Sequence, residues 1–275
     1  MAYSCTQWRL LISPPAHGAW NMAVDEAILE AVGKNHVPPT LRLYAWEPPC
    51  ISLGYAQVSV DIDLRRLKGL DWEWVRRPTG GRAILHTDEL TYSVIGPSDE
   101  PRLSGSVLES YRCLSTALLA ALHLLGVPAE SQSIIGVGSG ASKGPVCFEV
   151  PSNYEVIFQG KKLIGSAQAR RKTGVLQHGT LPLWGDLTRI TQALCFQQEE
   201  DRSMAAARLL ARATTLETIL GCRITWEAAA QALINAFQSE LNLDLISAQL
   251  TPQEKKRTKE LVREKYSNTY WLERI

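Results

Sequence analysis

Residues 153–183 read NYEVIFQGKKLIGSAQARRKTGVLQHGTLPL, and they decide the fold. Three β-like runs follow one another: NYEVIFQG, KKLIGSAQAR and GVLQHGTLPL. QGKK supplies a hairpin turn between the first two. Upstream, TQWRLLIS reads as a first strand and GAWNMAVDEAILEAVGK as an amphipathic helix, with Met22, Ala23, Ala27, Ile28 and Ala31 at helical spacing. After the break at Pro38 and Pro39, TLRLYAWE and CISLGYAQ are short β-like runs. DIDLRRLKG predicts a short helix that starts at an Asp cap and stops at Gly69. WEWVRRP alternates like a strand, and GGRAILHTDELTYSVIG reads as two more with a turn at TDE. SVLESYRCLSTALLAALHLLG is the strongest helix, ending at Gly126. From Asp186 onward everything reads helical. Strands and helices mix without a regular βαβ rhythm, which predicts an α+β fold with a mixed, largely antiparallel sheet flanked by helices. The length suits one domain, residues 1–275, with a helical segment from about 186.

Bulk properties exclude several classes. A net charge of +1 leaves no broad electrostatic footprint for nucleic acid. No run approaches a membrane span, and the N-terminus lacks the basic and apolar regions of a secretory signal. The six cysteines form no CxxC pair and have no histidine at ligand spacing, so no metal site is expected. They read as reduced thiols of a cytoplasmic protein.

Three loops can carry chemistry. RRPTGGRAILH, residues 76–86, delivers two arginines into a Pro-Thr-Gly-Gly turn. Its glycines let backbone N–H groups approach a ligand, and Arg77 or Arg82 can pair with an anion. A plain hairpin turn with solvated arginines is the bland reading of the same residues. GVGSGASKG, residues 136–144, lacks the GK[ST] of a phosphate loop and reads as a linker or a lid. The third, GPVCFEVPSNYEV at 144–156, raises Cys147 either as an inert core thiol or as a nucleophile. A tight hairpin folds Lys162 back toward the strand that starts near Cys147, and a nearby ammonium favours the thiolate. Gly165 can open N–H groups toward an oxyanion. His86 and His178 lie in strand-like segments beside these loops, and a papain-like Cys147–His178 pair is conceivable. His123 sits in an apolar helix and reads as a core residue.

WNMAVDEAIL (20–29), RRPTGGRAILH (76–86) and GKKLIGSAQ (160–168), in this order, resemble the lipoate–protein ligase A and octanoyltransferase superfamily, related to biotin–protein ligases. VCFEVPSNYEV resembles the segment that carries an acyl-thioester cysteine in the Gram-positive-type octanoyltransferases of lipoate synthesis. The resemblance implies a nucleophile at Cys147 and an activating lysine at Lys162. It implies an acyl pocket built by Arg77, Gly80, Gly81, Arg82, Ala83 and His86 together with Gly165, Ser166 and Ala167. Ile84, Leu85 and Tyr92 are expected as apolar walls. Octanoyl-acyl carrier protein would be the donor. The acceptor would be a lysine of a lipoyl domain, as in glycine cleavage H protein or a dehydrogenase E2, with a monomeric enzyme and no cofactor. Two departures weigh against an ATP-dependent ligase: the cysteine itself, and too short a stretch after SELNLDL for an additional C-terminal domain.

Overall fold

The computed structural model describes residues 3–133, 154–172 and 174–275. Two sheets organise the chain. The large one has eight strands in the order β11-β1-β2-β6-β10-β9-β8-β7. They are β1 (Thr6–Ile12), β2 (Thr40–Tyr44), β6 (Glu89–Gly96), β7 (Glu130–Ser133), β8 (Tyr154–Phe158), β9 (Lys161–Arg171), β10 (Gly174–Pro182) and β11 (Leu243–Ser247). Neighbours from β2 through to β7 are antiparallel, and β1 runs parallel to both β2 and β11. The small sheet places β3 (Cys50–Leu53) between β4 (Glu73–Arg76), parallel to it, and β5 (Ile84–His86), antiparallel. The mixed, largely antiparallel α+β architecture expected from the sequence is what forms.

The hairpin at QGKK turns through Gln159 and Gly160, both at positive φ, as a tight reversal requires. TDE does not join a hairpin. β5 leaves for the small sheet and β6 for the centre of the large one, so the turn is a change of sheet. The other difference lies beyond residue 186. β11 is an edge strand there, paired only to β1, with Leu243 and Asp244 opposite Thr6 and Gln7. A strand buried at one residue carries no apolar run to betray it among helices. The edge strand β7, ESQS, has no apolar residue and so leaves no hydrophobic period in the sequence.

One face of the large sheet is covered by α3 (Val107–Leu124) and α6 (Trp226–Leu241), whose Leu114, Leu118, Leu233 and Phe237 pack on Leu41, Leu43, Leu90 and Val94. α3 opens with a reciprocal cap between Ser106 and Glu109. α6 stops at Asn242 in the left-handed region, and the chain enters β11 directly. The opposite face is covered by α1 (Gly18–Val32), through Val24, Ile28 and Leu29, and α1 in turn packs against α7 (Pro252–Leu261). Residues 21–29 of α1 are all buried. That includes Asn21, Asp25 and Glu26, so the polar side of this helix also faces protein. The small sheet has its own core of Ile51, Leu53, Leu67, Ala83, Ile190 and Leu209. Leu67 lies in α2 (Leu64–Gly69), capped by Asp63, and Leu209 lies in α4 (Glu199–Arg212), which the short α5 (Leu216–Leu220) follows. No helix among the described residues is long and apolar enough to cross a membrane.

Candidate active site

A cavity of about 980 Å³ opens between the centre of the large sheet and the small one. Its floor is Gly165 and Ala167 of β9 with His178 and Thr180 of β10. Its roof is Ser52, Ile84 and His86 with the loop from Arg77 to Arg82. Floor residues line up because β9 and β10 are in register, Thr180 facing Gly165 and His178 facing Ala167. The strands approach closely here. A Cβ at Gly179 would lie 2.6 Å from both Ser166 Oγ and Tyr92 Cε1.

Both histidines are held at both ring nitrogens. His86 Nδ1 meets Glu89 Oε1 at 2.7 Å, Nε2 meets Ser52 Oγ at 2.7 Å, and the ring stacks on Trp46 with centroids 4.0 Å apart. His178 Nδ1 lies 3.4 Å from Asp25 Oδ2 and Nε2 lies 2.6 Å from Thr79 Oγ1. A carboxylate can only accept, so the Asp25 side carries the ring proton and Thr79 donates to the other nitrogen. Burial lowers the His178 pKa, against the pull of Asp25, so the ring is neutral at pH 7. Asp25 is a hub. Arg42 Nη1 donates to it at 2.7 Å, Tyr44 Oη at 3.0 Å and Ser93 Oγ at 3.0 Å. Burial raises the Asp25 pKa, but Arg42 and His178 outweigh it and the net shift is downward. Thr79 belongs to the glycine loop, so α1 fixes that loop through Asp25 and His178.

Arg77 lines the cavity and also holds its own loop. Its guanidinium donates to the carbonyls of Ser52 (2.7 Å), Gly80 (2.8 Å) and Arg82 (2.8 Å). Those bonds staple the loop from within and leave the arginine buried, while Arg82 is half-buried at the lining. Gly80 and Gly81 are exposed on the rim, Gly81 with φ +93°. Gly54 explains the loop's position. A Cβ there would sit 1.9 Å from the Gly81 carbonyl oxygen. Gly54→Ala must therefore push the loop off its seat. Octanoyl transfer is expected to fall at least about tenfold, because displacements near 1 Å are that costly to positioned chemistry. Steady-state kinetics beside a melting curve checks this; wild-type kinetics would show the loop position to be immaterial.

Three expected pocket residues lie elsewhere. Ala83 is fully buried in the small sheet's core, and Leu85 packs against that core, because the β5 alternation sends Ile84 and His86 to the cavity. Tyr92 is buried under the floor, where its hydroxyl bonds Ser166 Oγ at 2.7 Å. Burial pushes its pKa up to about 12. Ser166 itself lines the cavity. Cys147 and the 136–144 loop lie outside the described residues.

Lys162 does reach the cavity. It is 4% exposed, and its Nζ donates to Glu155 Oε1 at 2.7 Å, itself 8% exposed. A register shift between Val156 and Ile157 interrupts the β8–β9 ladder beside this pair. The Lys162 carbonyl accepts from Thr214 N at 3.1 Å, which pins the strand at that point. Sequence reasoning found Lys162 but missed Glu155, Asp25, Glu89, Thr79 and Gly54. Asp25 did leave a signal, a carboxylate inside the apolar run MAVDEAIL.

The chain matches the lipoyl protein ligase A/B catalytic domain over residues 17–238. It is 41% identical over 268 residues to octanoyltransferase LipM of Moorella thermoacetica, covering 97% of this chain and 98% of that one. It is 38% identical over 270 residues to octanoyltransferase LipM of Carboxydothermus hydrogenoformans, covering 98% and 99%. In three dimensions it resembles a bipartite lipoate protein ligase from Thermoplasma acidophilum, solved in a study of that ligase and its E2 lipoyl domain. The TM-score is 0.78 at 25% identity, covering 98% of this chain and 96% of the other. The buried floor, the glycine-loop roof and these full-length similarities agree: the chain belongs to the lipoyl protein ligase A/B catalytic-domain family and, within it, to the octanoyltransferase LipM family.

Proposed function

We propose that this protein transfers an octanoyl group from octanoyl-acyl carrier protein to a lysine of a lipoyl domain, in lipoate biosynthesis, through an acyl thioester on Cys147. The observation that carries the reading is the buried Lys162–Glu155 pair at the wall of a cavity wide enough for an acyl chain. An ammonium held there favours the thiolate of a neighbouring cysteine. The Cys147 thiolate attacks the donor's thioester carbonyl, a carbon–sulfur bond forms, and the carrier's thiolate leaves. Thioester replaces thioester, so the step is nearly balanced and needs no ATP. The acceptor amine then attacks the enzyme thioester carbonyl. A carbon–nitrogen bond forms, the carbon–sulfur bond to Cys147 breaks, and the proton lost by the amine balances the departing thiolate, which frees the thiol. The amide so formed draws the sequence forward. Backbone N–H groups near Gly165 and Ser166 are suited to the oxyanion, each such donor contributing about 3 kcal/mol in known cases. Burial of the chain adds about 0.8 kcal/mol per methylene before ordering costs. Arg82, Gly80, Gly81, Ile84 and His86 form the acyl-side wall, and Arg77 holds them in place. The acceptor class is supported by the lipoyl-domain partner of the Thermoplasma ligase. The protein acts as a single catalytic domain, monomeric and cytoplasmic.

Intact mass tests the reading. Octanoyl-carrier protein alone should give an octanoyl adduct that Cys147→Ser abolishes. An acyl-adenylate formed from octanoate and ATP, with no adduct from the carrier, would instead make this a ligase. An adduct raised only by an octanoylated lipoyl domain would make it an amidotransferase.

A further inference from the structure

Every charged residue among the described ones that line the cavity is a cation: Arg77, Arg82, Lys162, Arg170 and Arg171. An octanoyl thioester is neutral, so the acyl group gives this bias no reason. Three of the five are spent on the protein. Arg77 holds its own loop and Lys162 holds Glu155. Arg170 donates through Nη2 to the Leu103 carbonyl at 2.7 Å and to Ser110 Oγ at 2.8 Å, on the side of the sheet that α3 covers. Arg171 faces the other side. In β9, Gly165, Ala167, Ala169 and Arg171 alternate onto the α1 face, and all four line the cavity. The strand is buried from Lys162 to Gly165, half-buried from Ser166 to Arg170 and exposed at Arg171, so it runs from the proposed chemistry out to the mouth. Arg171 is fixed there. Its Nη1 donates to Glu26 Oε1 at 2.8 Å, and Lys265 Nζ donates to the same oxygen at 2.9 Å. Glu26, itself buried, thus holds two cations, while Glu30, one turn on in α1, is taken by Arg257 at 2.8 Å. The Arg171 side chain stays 39% exposed, and a guanidinium carries N–H groups beyond the one given to Glu26.

We infer that Arg171 is a donor-recognition residue that binds the phosphodiester of the carrier protein's phosphopantetheine arm, with Lys265 beside it. The inference rests on the function proposed above and names how the donor is held. Length supports it. The arm counts about thirteen bonds from thioester sulfur to phosphorus, or about 15 Å when extended, since the three backbone bonds of a residue cover about 3.5 Å. From Gly165, whose backbone is suited to the oxyanion, to Arg171 the strand covers about 20 Å at roughly 3.3 Å per residue. The remaining distance is taken up by a P–O bond and a charge-assisted N–H···O bond of about 2.8 Å. Chemistry supports it too. A guanidinium matches phosphate oxygens as a fork, and Glu26 holds this one in place before the donor arrives. Gly165, Ala167 and Ala169 carry no side chain large enough to obstruct the route between the two ends.

Two small donors isolate the phosphate: octanoyl-pantetheine and octanoyl-phosphopantetheine, each assayed with a lipoyl domain beside octanoyl-carrier protein. Absence of transfer from octanoyl-carrier protein by wild type would refute the function and this contact with it. Given that transfer, wild type should use octanoyl-phosphopantetheine with a kcat/KM about tenfold or more above that for octanoyl-pantetheine. Arg171→Gln should bring this ratio close to one, mainly through KM. Arg171→Lys keeps the charge without the fork and should retain part of it. The ratio is the readout that a merely structural role would not move, because a distorted cavity slows both donors alike. A wild-type ratio near one, or an undiminished ratio in Arg171→Gln, would overturn the inference while leaving the transferase activity intact. So would collapse of the ratio in Arg82→Gln but not in Arg171→Gln, which would seat the phosphate on the glycine loop. A loss in Arg171→Gln confined to octanoyl-carrier protein would also overturn it, since Arg171 would then be reading acidic side chains of the carrier.

Discussion

Lys162→Met is expected to lower octanoyl transfer by about a thousandfold or more, as loss of the group that activates a nucleophile does. The ammonium is nearly fully buried and bonded to Glu155 at 2.7 Å. Its positive charge in a low-dielectric wall is what would hold a nearby thiol ionised. The same variant should alkylate Cys147 more slowly with iodoacetamide at pH 7. Breaking a buried ion pair also costs stability, about 3–5 kcal/mol. Lys162→Met combined with Glu155→Gln removes both charges, so it should regain much of that stability and none of the activity. Alkylation and transfer at wild-type rates in Lys162→Met would show that the lysine activates nothing and that the pair is only structural.

Asp25→Ala is expected to be among the most destabilising single changes in the chain. It strips the carboxylate from fully buried Arg42 and takes an acceptor from Tyr44, Ser93 and His178. The expected loss is about 3–5 kcal/mol, measured as a lower urea midpoint. A variant within 1 kcal/mol of wild type, as a surface position gives, would remove Asp25 from its place as hub. The hub also sets an acid limit. Burial alone would raise the Asp25 pKa, but Arg42 and His178 carry it below its usual 3.8. The stability it contributes is therefore complete above that value and is lost as pH falls through the depressed folded one. His178 works in the same direction from higher pH. Its folded pKa is below 6.5, so the unfolded chain binds the extra proton first and stability declines as pH drops beneath 6.5. Asp25→Asn should flatten the lowest part of that decline in melting temperature against pH.

The sequence made the architecture legible wherever burial left a period. β8, β9 and β10 stood out because β-like runs lie on either side of the QGKK turn and follow one another closely. α3 stood out as the strongest helical run, ending at Gly126, and its cap at Ser106 emerged only in the structure. β7 and β11 were hidden because edge strands owe their existence to a neighbour's backbone, which no local pattern records. The same division holds in the cavity. Lys162, His86 and the two glycines were visible because their residue types or a family resemblance marked them. Asp25, Thr79 and Glu155 owe their roles to partners 153, 99 and 7 positions away, respectively. Arg77 was visible as a residue of the loop, but nothing in RRPTGG says that its side chain turns back onto that loop.

The pairing of β1 with β11 governs how the protein reaches this state. Gln7 and Asp244 touch across 237 positions of chain. Closing so long a loop is slow, and a topology rich in such contacts folds slowly for its size. During synthesis β1 and β2 emerge early, but the outer edge of β1 stays bare until β11 has left the ribosome. For that interval the nascent chain exposes an unpaired strand whose inner residues are Trp8, Leu10 and Leu11. The protein's dependence on chaperones and its tendency to aggregate should therefore be set at this seam, far from the cavity where the chemistry takes place.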